Sequence, residues 1–375
     1  MKVLLSGTAG GAGWPEPGCR CVSCAELPAG HRHPFELVVD GAVRFPFAEA
    51  PRGYRVCGGG RGLVGPGGAA LLCLPPSLEP SPDPGVAPRY DDEPSRYDVV
   101  LIDLLDRPER LGALRRAGLV DEATQVVAIG LDHRVRSEDE LARRLRLWGA
   151  VAVPDGTTLE TPDGTALETP DGTALETPDG TALETLPIAH RAPVERRRAA
   201  RSPQVGRALL LGGTRSGKSA EAELRLAAEP YVTYVATGPD GAGDGEWAAR
   251  VRAHRCRRPA HWDTIETTDL AATIANATTP LLIDGLGTWL AAVFDEHGAW
   301  EGDRAPVHAR CDELVAAWRQ APEPIVAVSD EVGMGVVPAT ASGRLFRDAL
   351  GRLNERLAAE SEYVALVVAG RLLEL

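Results

Sequence analysis

Residues 208–219 read Ala-Leu-Leu-Leu-Gly-Gly-Thr-Arg-Ser-Gly-Lys-Ser. An apolar run is followed by a glycine-rich turn and then by residues that open a helix. Gly212, Gly213, Thr214, Arg215, Ser216, Gly217, Lys218 and Ser219 fit G-x-x-x-x-G-K-[ST], the pattern of a phosphate-binding loop. The layout has a physical reason. Backbone N–H groups at a helix N-terminus point at phosphate oxygens, and the helix dipole adds to their field. Glycines keep side chains out of that approach. Lys218 supplies a cation to the terminal phosphates, and the Ser219 hydroxyl is a ligand for Mg²⁺.

Moving outward, the rest of the second half alternates short apolar runs with helical patterns. Strands are expected at 208–211, 231–236, 281–283, 325–328 and 363–368, with helices at 219–229 and 343–358. Continuous apolar runs between helices predict an α/β domain with a mostly parallel sheet and helices on both faces. Ligands of such sheets bind outside the carboxyl ends of the strands. Asp284 and Glu331 both follow predicted strands. Asp284 is the acidic candidate for the metal beside Ser219, and Glu331 is a second one. A strand-end aspartate can also simply cap the next helix.

Residues 246–266, EWAARVRAHRCRRPAHWDTIE, carry a histidine among arginines. Arg250 and His254 stand i,i+4 on one helical face. Pro259 ends that helix after Arg257 and Arg258. An imidazole nitrogen can attack phosphorus while guanidinium groups hold the phosphate oxygens. On spacing alone an exposed helix histidine is the better reading.

The motifs together resemble one family. LLLGGTRSGKS (209–219), YVAT (234–237), the 246–266 segment, LLIDGLGTWL (281–290), SDEVGMGVVP (329–338), the helix 343–358 and VALVVAG (364–370) are similar to the bifunctional adenosylcobinamide kinase/adenosylcobinamide-phosphate guanylyltransferases of cobalamin biosynthesis. The resemblance covers nearly all of residues 207–375 and implies a RecA-like P-loop domain. It implies two reactions. ATP or GTP phosphorylates the aminopropanol hydroxyl of adenosylcobinamide. GTP then guanylylates a histidine, and GMP passes to the phosphorylated corrinoid. The family's guanylylated histidine falls on His254. Arg250, Arg258 and Glu266 fall among nucleotide-binding positions, and Mg²⁺ is the implied metal. His261 is a weaker candidate nucleophile. The resemblance also implies a homo-oligomer, a trimer. This chain departs from the family in placing Ala253 before His254, and it carries a loop GPDGAGDG (238–245).

The whole chain has 375 residues, a formal net charge of -13 and seven cysteines. An acidic chain without a clustered basic surface is not expected to bind nucleic acid. The short run Arg196–Arg198 reads as solvated linker. No apolar run suits a membrane span or a signal peptide, and an odd cysteine count is not a disulfide framework. A cytoplasmic location is expected. Residues 154–185 hold four copies of PDGT(T/A)LET, starting at Pro154, Pro162, Pro170 and Pro178. With one Leu per copy, they read as strung turns or as a small β-solenoid-like stack. Domains are therefore expected at 1–153 and 207–375, joined by a 154–206 linker.

In the first domain Cys19, Cys21 and Cys24 form C-x-C-x-x-C, three thiols suited to Zn²⁺ or left free on a loop. The opening residues 1–24 and the stretch Val126–His133 resemble metallo-β-lactamase-fold phosphodiesterases of the phosphonate-degradation type. That resemblance implies a structural Zn²⁺ completed by His133, and it places a lost catalytic-metal ligand on Gly130. The fold's H-x-H-x-D-H motif is absent, since His31-Arg32-His33 runs into Pro34. The domain has three histidines, too few for a dinuclear hydrolase. A shortened relative with a structural or binding role is expected. A rival reading of the whole chain is a GTP-binding regulatory or assembly protein with this domain as its output.

Overall fold

Leu209, Leu210 and Leu211 are all buried, as a strand covered on both faces requires. The computed structural model describes residues 1–76, 92–161, 206–238 and 258–375. The chain separates into two units, Met1–Ser202 and Pro203–Leu375.

The second unit is an α/β P-loop domain. Its strands are β10 (Arg207–Gly212), β11 (Thr233–Ala236), β12 (Asp263–Glu266), β13 (Leu281–Asp284), β14 (Ile325–Asp330), β15 (Tyr363–Val368) and β16 (Arg371–Glu374). They form one sheet in the order β12-β11-β13-β14-β10-β15-β16. Every pairing is parallel except the last, where Ala369 and Gly370 turn the chain back. Alternate residues face opposite ways. Leu209, Leu211, Ile283 and Ala327 join a core with the helices Leu286–Glu296, Ala305–Arg319 and Ala341–Ala358. Leu210, Leu282, Val326 and Val328 pack with Ala222 and Leu226 of the helix Lys218–Leu226 on the other face. β14 stands between β10 and β13, so the acidic end of β13 is one strand removed from the phosphate-loop strand.

The first unit has two sheets. Strands β1 (Lys2–Gly7), β2 (Glu36–Val39), β3 (Val43–Arg44) and β9 (Thr157–Glu160) form an antiparallel sheet, β3-β2-β1-β9. Strands β4 (Arg55–Cys57), β5 (Gly62–Val64), β6 (Ala70–Leu74), β7 (Val99–Ile102) and β8 (Gln125–Ala128) form a mixed one in sequence order. Val3, Leu5 and Leu37 of the first share a core with Leu71, Leu101 and Val127 of the second. Val100, Ile102 and Val126 are buried as well, so the five-stranded sheet is covered on its other face too.

The expected domain end at 153 is corrected. The first octamer, residues 154–161, is part of the folded unit: β9 pairs with β1, and Thr157 and Leu159 are wholly buried. An isolated octamer buries too little to order itself, whereas an open sheet edge supplies backbone partners and a core for its leucine. The three later octamers and Arg196–Arg198 lie outside the described residues. No described helix is long and apolar enough to cross a membrane.

Candidate functional site

The sheet delivers its polar residues to one edge, the carboxyl ends of β10, β13 and β14. Gly212 ends β10, and a Cβ there would stand 2.6 Å from the Val367 carbonyl oxygen. Arg215 takes a left-handed φ of 59°, and Gly217 has φ 101° as the N-cap of the helix Lys218–Leu226. A side chain at Gly217 would also meet the Gly370 backbone at 3.2 Å, in the turn that follows β15. The loop is thus closed on one side by Gly370, whose N–H donates to the Ser216 carbonyl at 2.7 Å. Gly213, Thr214 and Arg215 are exposed. The Ser216 hydroxyl is buried with no hydrogen-bond partner among the described residues.

Ser219 donates to Asp284 Oδ1 at 3.2 Å, which brings together the two residues expected to share a metal. The other carboxylate oxygen, Oδ2, accepts from the Tyr234 hydroxyl. Burial, reinforced by the Asp284 charge, pushes the Tyr234 phenol well above its ordinary value, so it stays a donor. Thr237 ties the same strand ends together. Its hydroxyl donates to the Gly285 carbonyl at 2.7 Å and lies 2.8 Å from Thr288 Oγ1.

Lys218 has a partner that the sequence reading missed. Its Nζ lies 2.9 Å from Asp330 Oδ1 and donates to the Gly213 carbonyl at 3.1 Å. Glu331, the second acidic candidate, is turned elsewhere: its Oε1 accepts from the Gly333 N–H at 2.7 Å within its own loop. The register explains the difference. Gly212 is paired with Asp330, so Asp330, not Glu331, stands level with the phosphate loop. Asp330 is thus the partner of the ammonium that the phosphate-loop pattern leads one to expect against phosphate, and a competition between the two is the testable consequence. Replacing Asp330 by Asn is expected to tighten triphosphate binding by about five- to tenfold at low salt. Titration calorimetry checks it, and unchanged or weaker binding would count against the competition.

A pocket of ≈ 370 Å³ is lined by Arg258, Pro259, Ala260, Trp262, Thr264 and Glu266. The Arg258 guanidinium stacks on the Tyr234 ring, 3.4 Å from its centroid, and donates to Thr264 Oγ1 at 3.3 Å. The Trp262 indole N–H is buried without a hydrogen-bond partner among the described residues. Arg258 and Glu266 are thus brought together at one recess. The ring nitrogens of His261 are shielded from solvent. His254 and Arg250 lie outside the described residues.

Residues 208–375 match the family described as cobinamide kinase / cobinamide phosphate guanyltransferase. The bifunctional adenosylcobalamin biosynthesis protein CobU of Salmonella typhimurium is 39% identical over 179 residues, 43% of this chain and 95% of that protein. CobU of Escherichia coli is 36% identical over 177 residues, 43% of this chain and 95% of that protein. CobP of Pseudomonas aeruginosa is 42% identical over 172 residues, 44% of this chain and 94% of that protein. The chain belongs to this family. Membership accounts for the cobinamide kinase / guanyltransferase unit alone, and the first unit lies outside the matched residues.

That first unit brings the other expected cluster together. One ligand atom from each of Cys19, Cys21, Cys24 and His133 lies within 4.8 Å of all the others. Cys24 Sγ is 3.5 Å from His133 Nδ1. Trp14, wholly buried, holds the loop by donating its indole N–H to Ser23 at 3.0 Å. Zinc–sulfur bonds of 2.3 Å in a tetrahedron put ligands roughly 3.8 Å apart, so these four fit a zinc ion after a small contraction. The carboxyl ends of β7 and β8 hold a cation of the protein's own. Arg134 lies 3.1 Å from Asp103, 2.6 Å from Asp106 and 2.8 Å from Asp132, and donates to the Gly130 carbonyl at 2.6 Å. Gly130 itself has φ 69°, and a Cβ there would stand 2.5 Å from Pro76, so no histidine fits that position.

Proposed function

We propose that the second unit catalyses both transfers that its family's description implies. In the kinase step the cobinamide hydroxyl attacks the terminal phosphorus of a nucleoside triphosphate, and the diphosphate leaves. In the guanylyl step a ring nitrogen of His254 attacks the α-phosphorus of GTP and pyrophosphate leaves. A phosphate oxygen of cobinamide phosphate then attacks the same phosphorus and frees the histidine. Splitting the transfer in two lets one polyphosphate cradle serve every displacement. The observation that carries this reading is the convergence of Lys218, Ser219, Asp284 and Asp330 at one sheet edge inside the matched region.

Within that reading the backbone of residues 212–219 cradles the phosphates, and Lys218 leaves Asp330 to meet them. Ser219 and Asp284 supply the oxygen ligands for Mg²⁺, which would neutralise phosphate charge. Arg258 and Arg250 hold phosphate oxygens by paired N–H bonds. The Glu266 carboxylate is an acceptor for the donor edge of guanine, and Trp262 supplies an apolar wall. The exposed Met334, Val336 and Val337, four to seven residues after Asp330, suit the apolar rim of a corrinoid.

The test is incubation with α-labelled GTP. An acid-labile, base-stable label on the protein that is lost in His254→Ala supports the mechanism. An unlabelled wild type sinks it and favours a GTP-binding regulator.

For the first unit we propose a structural zinc on Cys19, Cys21, Cys24 and His133 in a shortened metallo-β-lactamase-like domain that is not a hydrolase. Arg134 supports this, since a guanidinium already neutralises the carboxylates where catalytic metals would need them. Metal analysis should give about one zinc per chain, lost in Cys19→Ser. Equal zinc in both proteins refutes the site.

A further inference from the structure

The first octamer sits in a slot built for its repeating residues. Asp155 Oδ1 accepts from the Thr8 hydroxyl at 2.7 Å, and its Oδ2 accepts from the His33 backbone N–H and lies 3.0 Å from His33 Nδ1. Gly156 takes φ 83° and donates to the Leu5 carbonyl at 2.7 Å. The Thr157 side chain is wholly buried and closes the turn on the Pro154 carbonyl at 2.7 Å. Leu159 enters the core opposite Val3. Glu160 pairs with Lys2 at 2.6 Å, and the Thr161 N–H donates to the Met1 carbonyl at 3.1 Å. The slot side of these contacts is the edge of β1 with Met1, Lys2, Thr8 and His33.

Each contact uses a residue that recurs in every copy. Asp155 recurs as Asp163, Asp171 and Asp179, and Gly156 as Gly164, Gly172 and Gly180. Thr157 recurs as Thr165, Thr173 and Thr181, and Leu159 as Leu167, Leu175 and Leu183. Glu160 and Thr161 recur likewise. Only Thr158 differs, as Ala166, Ala174 and Ala182, and its part-buried side chain makes no hydrogen bond among the described residues. The slot cannot tell the copies apart by their side chains.

We infer that this slot is a docking site for any of the four octamers of its own chain, so that β9 can be exchanged in steps of eight residues. When the second copy docks, residues 154–161 loop out between Val153 and Pro162. The cost is closure of a short loop, which grows only slowly with length. The first copy is favoured because it needs no loop, and the later ones form a reserve. Each step moves eight residues from the downstream connection between the two units to the upstream side of the slot. The repeat thereby sets the length of that connection while one strand always closes the sheet edge. An edge left open is a template for pairing with other chains, so a reserve of identical strands also protects solubility.

The experiment compares two full-length variants. The first carries Asp155→Ala and Leu159→Ala. The second carries the equivalent pair in all four copies. Removing a buried leucine and the aspartate together should lower the unfolding midpoint of the first unit by about 10 °C when no intact copy remains. With three intact copies the loss should be less than half of that. Hydrogen exchange read by mass spectrometry supplies a second measurement. In the first variant residues 154–161 should lose protection, residues 162–169 should gain it, and β1 should keep it. Equal midpoint losses in the two variants, or loss of β1 protection in the first, would overturn the proposal.

Discussion

Lys218→Ala is expected to lower both the kinase rate and the labelling of the protein by GTP about 10²–10³-fold, the order of cost of deleting one preorganised donor aimed at charge that develops in a transition state. Its Nζ is held within 3.1 Å of a backbone carbonyl and 2.9 Å from a carboxylate, at the start of the helix that the phosphate loop caps. No other described Lys or Arg of the loop is placed this way, since the Arg215 backbone is left-handed and its side chain is exposed. Lys218→Arg should not restore activity, because a planar fork cannot occupy the place of a compact ammonium. Steady-state kinetics check the claim. If the kinase reaction keeps its rate and only KM rises, Lys218 binds the ground state and the transition state equally.

The second large effect is on stability. Arg32→Ala is expected to cost the first unit about 1.5–3 kcal/mol, because it removes the charge-assisted hydrogen bonds of a buried guanidinium and leaves the part-buried Glu138 with His31, 2.8 Å away, as its remaining partner. Arg32 is 8% exposed and donates to both oxygens of Glu138, at 2.6 and 3.0 Å. It also donates to Thr8 Oγ1 at 2.9 Å and to the Val153 carbonyl at 2.7 Å. Burial pushes the Glu138 carboxyl up, but the Arg32 hydrogen bond and charge outweigh it and leave it below its ordinary value of 4.5. A depressed carboxyl contributes stability that is present above the unfolded value and lost as pH falls through the folded one. The wild-type unfolding midpoint should therefore drop as pH falls below about 4.5. In Arg32→Ala only His31 still opposes the effect of burial, so that acid dependence should weaken. Thermal unfolding between pH 3 and 7 separates the outcomes, and parallel curves would show that Arg32 does not hold the carboxylate charged.

Local patterns were readable. The phosphate loop needs only consecutive residues and a flanking strand and helix, so residues 212–219 announced themselves. The strands at 281–284 and 325–330 were legible because parallel strands buried on both faces are continuously apolar. β12, exposed along its length, and the two-residue β3 carry no such pattern. The Cys19–Cys24 spacing marked a metal site, but only a family resemblance pointed to His133, which is distant in sequence. Trp262 and Thr264 were passed over because nothing in a chain says which residues line a recess.

The sequence by itself determined the α/β class of the second unit, its phosphate loop, the place of Asp284 and its family. These depend on periodicity and short motifs, which are properties of neighbours along the chain. Only the tertiary structure decided that Asp330 rather than Glu331 faces Lys218, because strand register sets which of two adjacent side chains reaches an edge. Only the tertiary structure made the first octamer a strand, because an octamer with one large apolar side chain is ordered by the sheet edge it completes.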